Sequence, residues 1–118
     1  IGWLRVHVDD DNHLCFVDEV QSDTLEAAYQ MEGAAAAEFY KECQDWHIHG
    51  FATISRWAAQ IGYRAAIHSK DSAMKKDGMT QSDRKWNTYY RAITKRFNLN
   101  EEGVAGYPEK IWVQGLGS

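Results

Sequence analysis

Residues 13–21 read His-Leu-Cys-Phe-Val-Asp-Glu-Val-Gln, and the placement of this run decides the fold. Leu14 and Phe16 fall on one side of an extended chain, Cys15 and Val17 on the other. Side chains alternate faces along a strand, so a run apolar on both faces predicts a central strand covered on two sides. Asp18, Glu19 and Gln21 then interrupt the apolar run at its C-terminal end. Upstream, residues 2–8 alternate, with Leu4, Val6 and Val8 on one side and Trp3, Arg5 and His7 on the other. The polar cluster Asp9-Asp10-Asp11-Asn12 between the two runs predicts a turn, and the whole predicts a β-hairpin.

Beyond the hairpin, Ser22, Asp23 and Thr24 offer an N-cap. Leu25, Tyr29, Ala36, Phe39, Cys43 and Trp46 follow at helical spacing. Gly33 lies inside this run and costs about 1 kcal/mol relative to Ala in a helix interior. The run is therefore one long helix or two pieces broken near Gly33. Phe51, Ile54, Ala58 and Ile61 predict the next helix, with Gly62 as its C′ residue. Tyr63 to His68 predicts a short apolar strand, and the polar residues 69–80 a loop. Ser82 or Asp83 would cap a helix carrying Trp86, Tyr89, Tyr90, Ile93 and Phe97. Asn98 to Pro108 reads as a second loop and Lys110 to Gln114 as a last strand. The expected order is β-β-α-α-β-α-β: one α+β domain over residues 1–118, a mixed sheet with an N-terminal hairpin and flanking helices. Crossover rules place the 63–68 strand parallel to, and beside, the 13–21 strand. Two parallel strands that end on the same side leave a crevice suited to a ligand.

A length of 118 residues fits a single domain, and 44% hydrophobic with 25% charged residues excludes a disordered chain. Cys15 and Cys43 give neither a disulfide framework nor zinc spacing, which predicts a reducing, cytoplasmic setting. No apolar run approaches transmembrane length and no leader pattern opens the chain, so no membrane association is expected. Ile1 in place of Met predicts a trimmed N-terminus or an excised piece, and Gly117 and Ser118 read as appended residues. The net charge of −4 divides unevenly: −9 over residues 1–45, +7 over 46–100 and −2 over 101–118. A local basic surface could meet phosphate, or the two halves could attract each other or form solvated helix faces. Overall acidity argues against a dedicated nucleic-acid-binding protein.

The polar tail of the apolar strand, Asp18-Glu19-Val20-Gln21, is the feature that points to chemistry. A carboxylate at the end of a central strand sits near low-dielectric walls and can serve as a general base. The plainer reading has Asp18 capping the hairpin while Ser22 and Asp23 cap the following helix.

The hairpin, the run "HGFATISRWAAQIGYRAAIHS" (His49–Ser69) and the run "KWNTYYRAITKRFNL" (Lys85–Leu99) together resemble the C-terminal half of the GNAT superfamily of N-acetyltransferases. "FVDEVQSD" (Phe16–Asp23) also resembles uncharacterised domains of phage and mobile-element proteins. The first resemblance implies a GNAT-like core and acetyl-CoA as acyl donor, with an amine on a small molecule or a protein as acceptor. It implies that Glu19 acts as base and that Tyr90 protonates the leaving thiolate. Val20 and Gln21, beside Glu19, would lie against the coenzyme. Gln30, Gly33 and Ala35 match the family's Gln-x-x-Gly-x-Ala pattern and would touch the pyrophosphate, whose charge suits the orphan N–H groups of a helix N-terminus. Tyr90 has an ordinary alternative, because Trp86, Tyr89, Tyr90 and Ile93 also make a core stripe.

Two other classes compete. Five Trp and six Tyr suit a non-catalytic binding or oligomerising module, a homodimer for instance. Asp10 with Glu19-Val20-Gln21 mimics the metal-nuclease layout PD-(D/E)xK, with Gln21 where the Lys belongs. His47 and His49 near Cys43 and Asp45 have no recurrent metal-site spacing and read as surface or core-edge groups.

Overall fold

A computed structural model describes residues 3–21, 46–78 and 86–115 of the chain. Within these, β1 spans Trp3–Asp9 and β2 spans Leu14–Gln21, paired antiparallel as a hairpin. The turn is closed by Asn12, whose backbone N–H and side-chain amide donate to the Asp9 carboxylate at 3.1 and 2.8 Å. The side-chain bond from Asn12 holds the Asp9 carboxyl below its ordinary range. Asp18 therefore does not cap the hairpin. The turn caps itself.

Helix α1 (Trp46–Gln60) leads into β3 (Arg64–His68) through Gly62, whose φ of +78° is a conformation open to glycine at little cost. β3 lies parallel to β2, in register from Leu14 opposite Arg64 to Val17 opposite Ile67. The chain goes on through α2 (Lys70–Asp77) and then α3, a π turn at Trp86–Tyr90 that runs into an α-helix over Arg91–Arg96. Strands β4 (Leu99–Glu102) and β5 (Ile111–Gln114) complete a mixed, five-stranded sheet in the order β1-β2-β3-β5-β4.

β2 is covered on both faces, as its composition requires. Val17 and Val20 pack with Phe51 of α1, Ile67 of β3, and Tyr90 and Ile93 of α3. Leu14 and Phe16 pack on the other side with Ala66, Ile111 and Val113. Burying a side chain such as Phe51 removes it wholly from water, worth about 1.5–3 kcal/mol.

The described elements differ from the expected order in three places. Residues 70–77 form α2 rather than a loop. Its interior carries almost no apolar stripe, because only its first turn touches the core through Ala73. The ends do the work: Ser69 accepts from the Ser72 N–H as N-cap, Asp71 sits in the first turn, Lys75 and Lys76 in the last, and Gly78 closes the helix at φ +84°. Leu99–Glu102 is a strand within the expected second loop. It is the sheet edge beside β5, where exposed charge is normal and apolar alternation is weak. Trp46 opens α1 instead of closing the preceding helix. The helix expected over Leu25–Trp46 otherwise lies outside the described residues, as do the capping residues Ser82 and Asp83.

Two of the exposed glycines, Gly62 and Gly103, separate backbone strain from packing, since a Cβ at either meets nothing within 4 Å and, of the pair, only Gly62 has positive φ. Urea unfolding should show Gly62→Ala destabilised by about 1–2 kcal/mol, with Gly103→Ala within about 0.5 kcal/mol of the parent. Equal effects at the two positions would contradict the assigned turn.

Candidate functional site at the ends of the parallel strands

The site begins with an irregularity in β2. Arg5 faces Glu19 while its neighbour Val6 faces Val17, so Asp18 is an extra residue on β2, a β-bulge. A bulge bends its strand and sharpens the local twist. The parallel register with β3 stops one residue earlier, at Val17 and Ile67. Beyond that point β2 keeps pairing with β1, while β3 has one further residue, His68, before Ser69 leads into α2. The strands part where the bulge lies.

Asp18 and His68 meet across that parting. Nε2 of His68 lies 3.2 Å from Asp18 Oδ1. Lys76 of α2 reaches the same carboxylate at 3.0 Å and donates to the Asp18 carbonyl at 2.8 Å, and Arg5 stands 3.7 Å away. Burial alone would raise the Asp18 carboxyl, yet the bonds and charges of Lys76 and His68 hold it below the usual carboxylate range. Nδ1 of His68 lies 2.7 Å from Ser72 Oγ. A carboxylate only accepts, so Nε2 carries the hydrogen in the neutral ring and the Nδ1 lone pair accepts the Ser72 hydroxyl. The ring is held further by Phe16, edge-on at 4.7 Å between centroids, and Tyr90 lies 6.5 Å away on the same measure. Ser69 anchors α2 by donating to the Lys110 carbonyl at 2.6 Å.

This group borders a cavity of about 310 Å³ whose walls include Phe16, Tyr107, Pro108 and Ile111 beside His68 and Ser72. At its rim Lys75 pairs with Glu109 at 3.2 Å. The Tyr107 hydroxyl donates to Asp9 at 2.8 Å, and burial together with that acceptor pushes its pKa well up. Tyr107 is a fixed wall, not an acid.

The candidate residues read from the sequence fall around this centre in different ways. Glu19 lies one residue beyond the bulge and is ion-paired to Arg5. Val20 is fully buried in the core, so its side chain is unavailable to a coenzyme. Gln21 ends β2. Tyr90 is fully buried at the end of the π turn, in the core yet next to His68. Gln30, Gly33 and Ala35 lie outside the described residues. Asp10 accepts from Tyr63 at 2.6 Å at the turn end of the hairpin, whereas Glu19 lies near the other end of β2. Asp10 and Glu19 therefore do not form a shared ion site, and no cluster of three or more metal-ligating groups occurs among the described residues. His47 is fully buried against the Tyr89 ring at 5.3 Å, while His49 is exposed. Residues two apart on a helix do not converge.

The sequence marks Asp18 only as part of the polar tail of β2, and it does not single out His68, Ser72 or Lys76 as site residues. The available signals were the first charge in the β2 run and a His closing a short apolar strand, followed by a capped helix. No helix among the described residues is long and apolar enough to cross a membrane. In comparisons with known proteins, no family model matches the chain, and no curated protein or solved structure matches it either.

The lowered Asp18 carboxyl sets a sign for acid stability. The unfolded chain takes up its proton near the ordinary value of about 4, before the folded chain does. The stabilisation is complete above that value and is lost as pH falls through the lower folded one. Asp18→Asn should cost about 1–2 kcal/mol at pH 7 and lose less further stability between about pH 5 and pH 2 than the parent. Parallel pH curves from urea unfolding would show that Asp18 does not titrate in this way.

Proposed function

We propose that the chain is an acyl-CoA-dependent N-acyltransferase with a GNAT-like core, passing an acetyl group to the amine of a small molecule or protein. The observation that carries this reading is the parting of the parallel strands β2 and β3 beyond Val17 and Ile67, at the Asp18 bulge. Acetyl-CoA supplies an activated acyl group as a thioester, and an extended arm laid between the diverging ends would run along β2 past Val17. Asp18 and His68 close one side of this opening, so entry is from the face bounded by Phe16 and Tyr107. Glu19, ion-paired to Arg5, takes the amine proton through a water. Tyr90, beside His68 at the end of β3, holds a proton for the departing thiolate.

Isothermal titration with acetyl-CoA and with CoA should show saturable binding of both. Glu19→Gln should lower transfer to an amine by about 100-fold while leaving the affinity for acetyl-CoA unchanged. No heat at millimolar ligand removes this function.

A second reading, a non-catalytic module that joins a copy of itself, is favoured by β1. This strand pairs on one side only among the described residues and leaves Trp3 49% exposed. Light scattering should then report a dimer that dissociates on Trp3→Lys; a monomer at high concentration counts against it.

A further inference from the structure

We propose that Ser72 is a nucleophile that takes up an acyl group covalently, with His68 as its base and Asp18 as the residue that positions the imidazole. The proposal needs no coenzyme and goes beyond the thioester reading above.

Three observations converge. Ser72 Oγ is 2.7 Å from Nδ1 of His68, closer than the competing Ser69 carbonyl at 3.2 Å. The far nitrogen of the ring faces a carboxylate at 3.2 Å, which fixes the tautomer whose Nδ1 can accept a proton. Both Ser72 and His68 line a cavity of about 310 Å³, large enough for a short or aromatic acyl group. A hydroxyl, an imidazole and a carboxylate in series are the parts by which serine nucleophiles are activated on unrelated folds, recognised by geometry and not by order in the chain. Here the imidazole presents Nδ1 to the hydroxyl and Nε2 to the acid.

The step balances without a further reactant. Ser72 Oγ bonds to the acyl carbon as its proton passes to Nδ1 of His68. The bond from that carbon to the leaving oxygen or sulfur breaks, and the leaving group takes the proton from Nδ1. Water then repeats the sequence on the acyl-serine, returning the free hydroxyl and a carboxylic acid. Phe16, Tyr107, Pro108 and Ile111 give the acyl group an apolar seat, with Lys75, Lys76 and Glu109 also lining the cavity.

The test uses the whole chain and p-nitrophenyl acetate, without CoA. A burst of one p-nitrophenolate per chain is expected, with the acetyl group mapped by mass spectrometry to Ser72. Ser72→Ala should abolish both, and Ser72→Cys should retain acylation. His68→Ala should slow the acylation step by about 100-fold or more. Asp18→Asn should slow it by about 10-fold or more with unchanged apparent affinity for the ester, a split that loss of packing alone would not give. Circular dichroism establishes that each variant is folded. A folded parent that shows no adduct, acetylates only at lysines such as Lys75 or Lys76, or reacts equally fast as His68→Ala overturns the proposal. None of these outcomes bears on coenzyme binding, which the calorimetry decides separately.

Discussion

The parallel ladder between β2 and β3, and the place where it ends, governs the rest of the molecule. Up to Val17 and Ile67 the two strands share a register and carry apolar side chains on both faces of the sheet. One extra residue, Asp18, ends that regularity. A bulge leaves its extra residue unpaired and disrupts the ladder locally. The β1 partner keeps its pairing on either side of Asp18, and the β3 partner is the one that parts. The apolar core and the polar site are consecutive stretches of the same strand for this reason.

Where backbone pairing stops, side chains take over. A carboxylate moved away from water costs several kcal/mol unless it is met by donors. Asp18 is met by three: His68 from β3, Lys76 from α2 and, more distantly, Arg5 from β1. The caps of α2 set the geometry of the second. Ser69 caps the helix and is tied to the Lys110 carbonyl just before β5, so α2 is docked at its N-cap. Ser72 and Lys76, four residues apart, then lie on one face of α2 and both reach toward the strand ends. His68, four residues before Ser72, completes the contact from the strand side.

Much of this architecture was legible because it rests on period and punctuation. The two-faced apolar run of β2, the Asp-rich turn and Gly62 before Tyr63 each act locally, so the hairpin and the parallel pair could be read before any contact was known. α2 and β4 could not be read from periodicity. α2 gains its stability from capping and one docked turn, and β4 from pairing to β5, while neither carries a full apolar stripe. The site was half legible for a related reason. A carboxylate at a strand end is visible in the chain, but the choice of Asp18 over Glu19 as the centre follows from the bulge, which depends on how β1 registers against β2. His68 is brought to Asp18 by tertiary placement across 50 residues, which no spacing rule encodes, and Ser72 reaches the pair through His68, four residues before it.

A staple for the diverging strand ends would account for Asp18, His68 and Lys76 equally well, so the network alone does not separate structure from chemistry. Ser72 does. A staple gains from burying its last hydroxyl against packed atoms, where the Ser69 carbonyl at 3.2 Å would satisfy it. Instead the hydroxyl lies nearer the imidazole, at 2.7 Å, and beside a cavity with mainly apolar walls. Phe16, Tyr107 and Ile111 wall that space, and Ser72, whose hydroxyl lies against the His68 ring, borders it together with Lys75, Lys76 and Glu109. A concave, mainly apolar surface beside a hydroxyl that contacts an imidazole is the arrangement a small-molecule site needs.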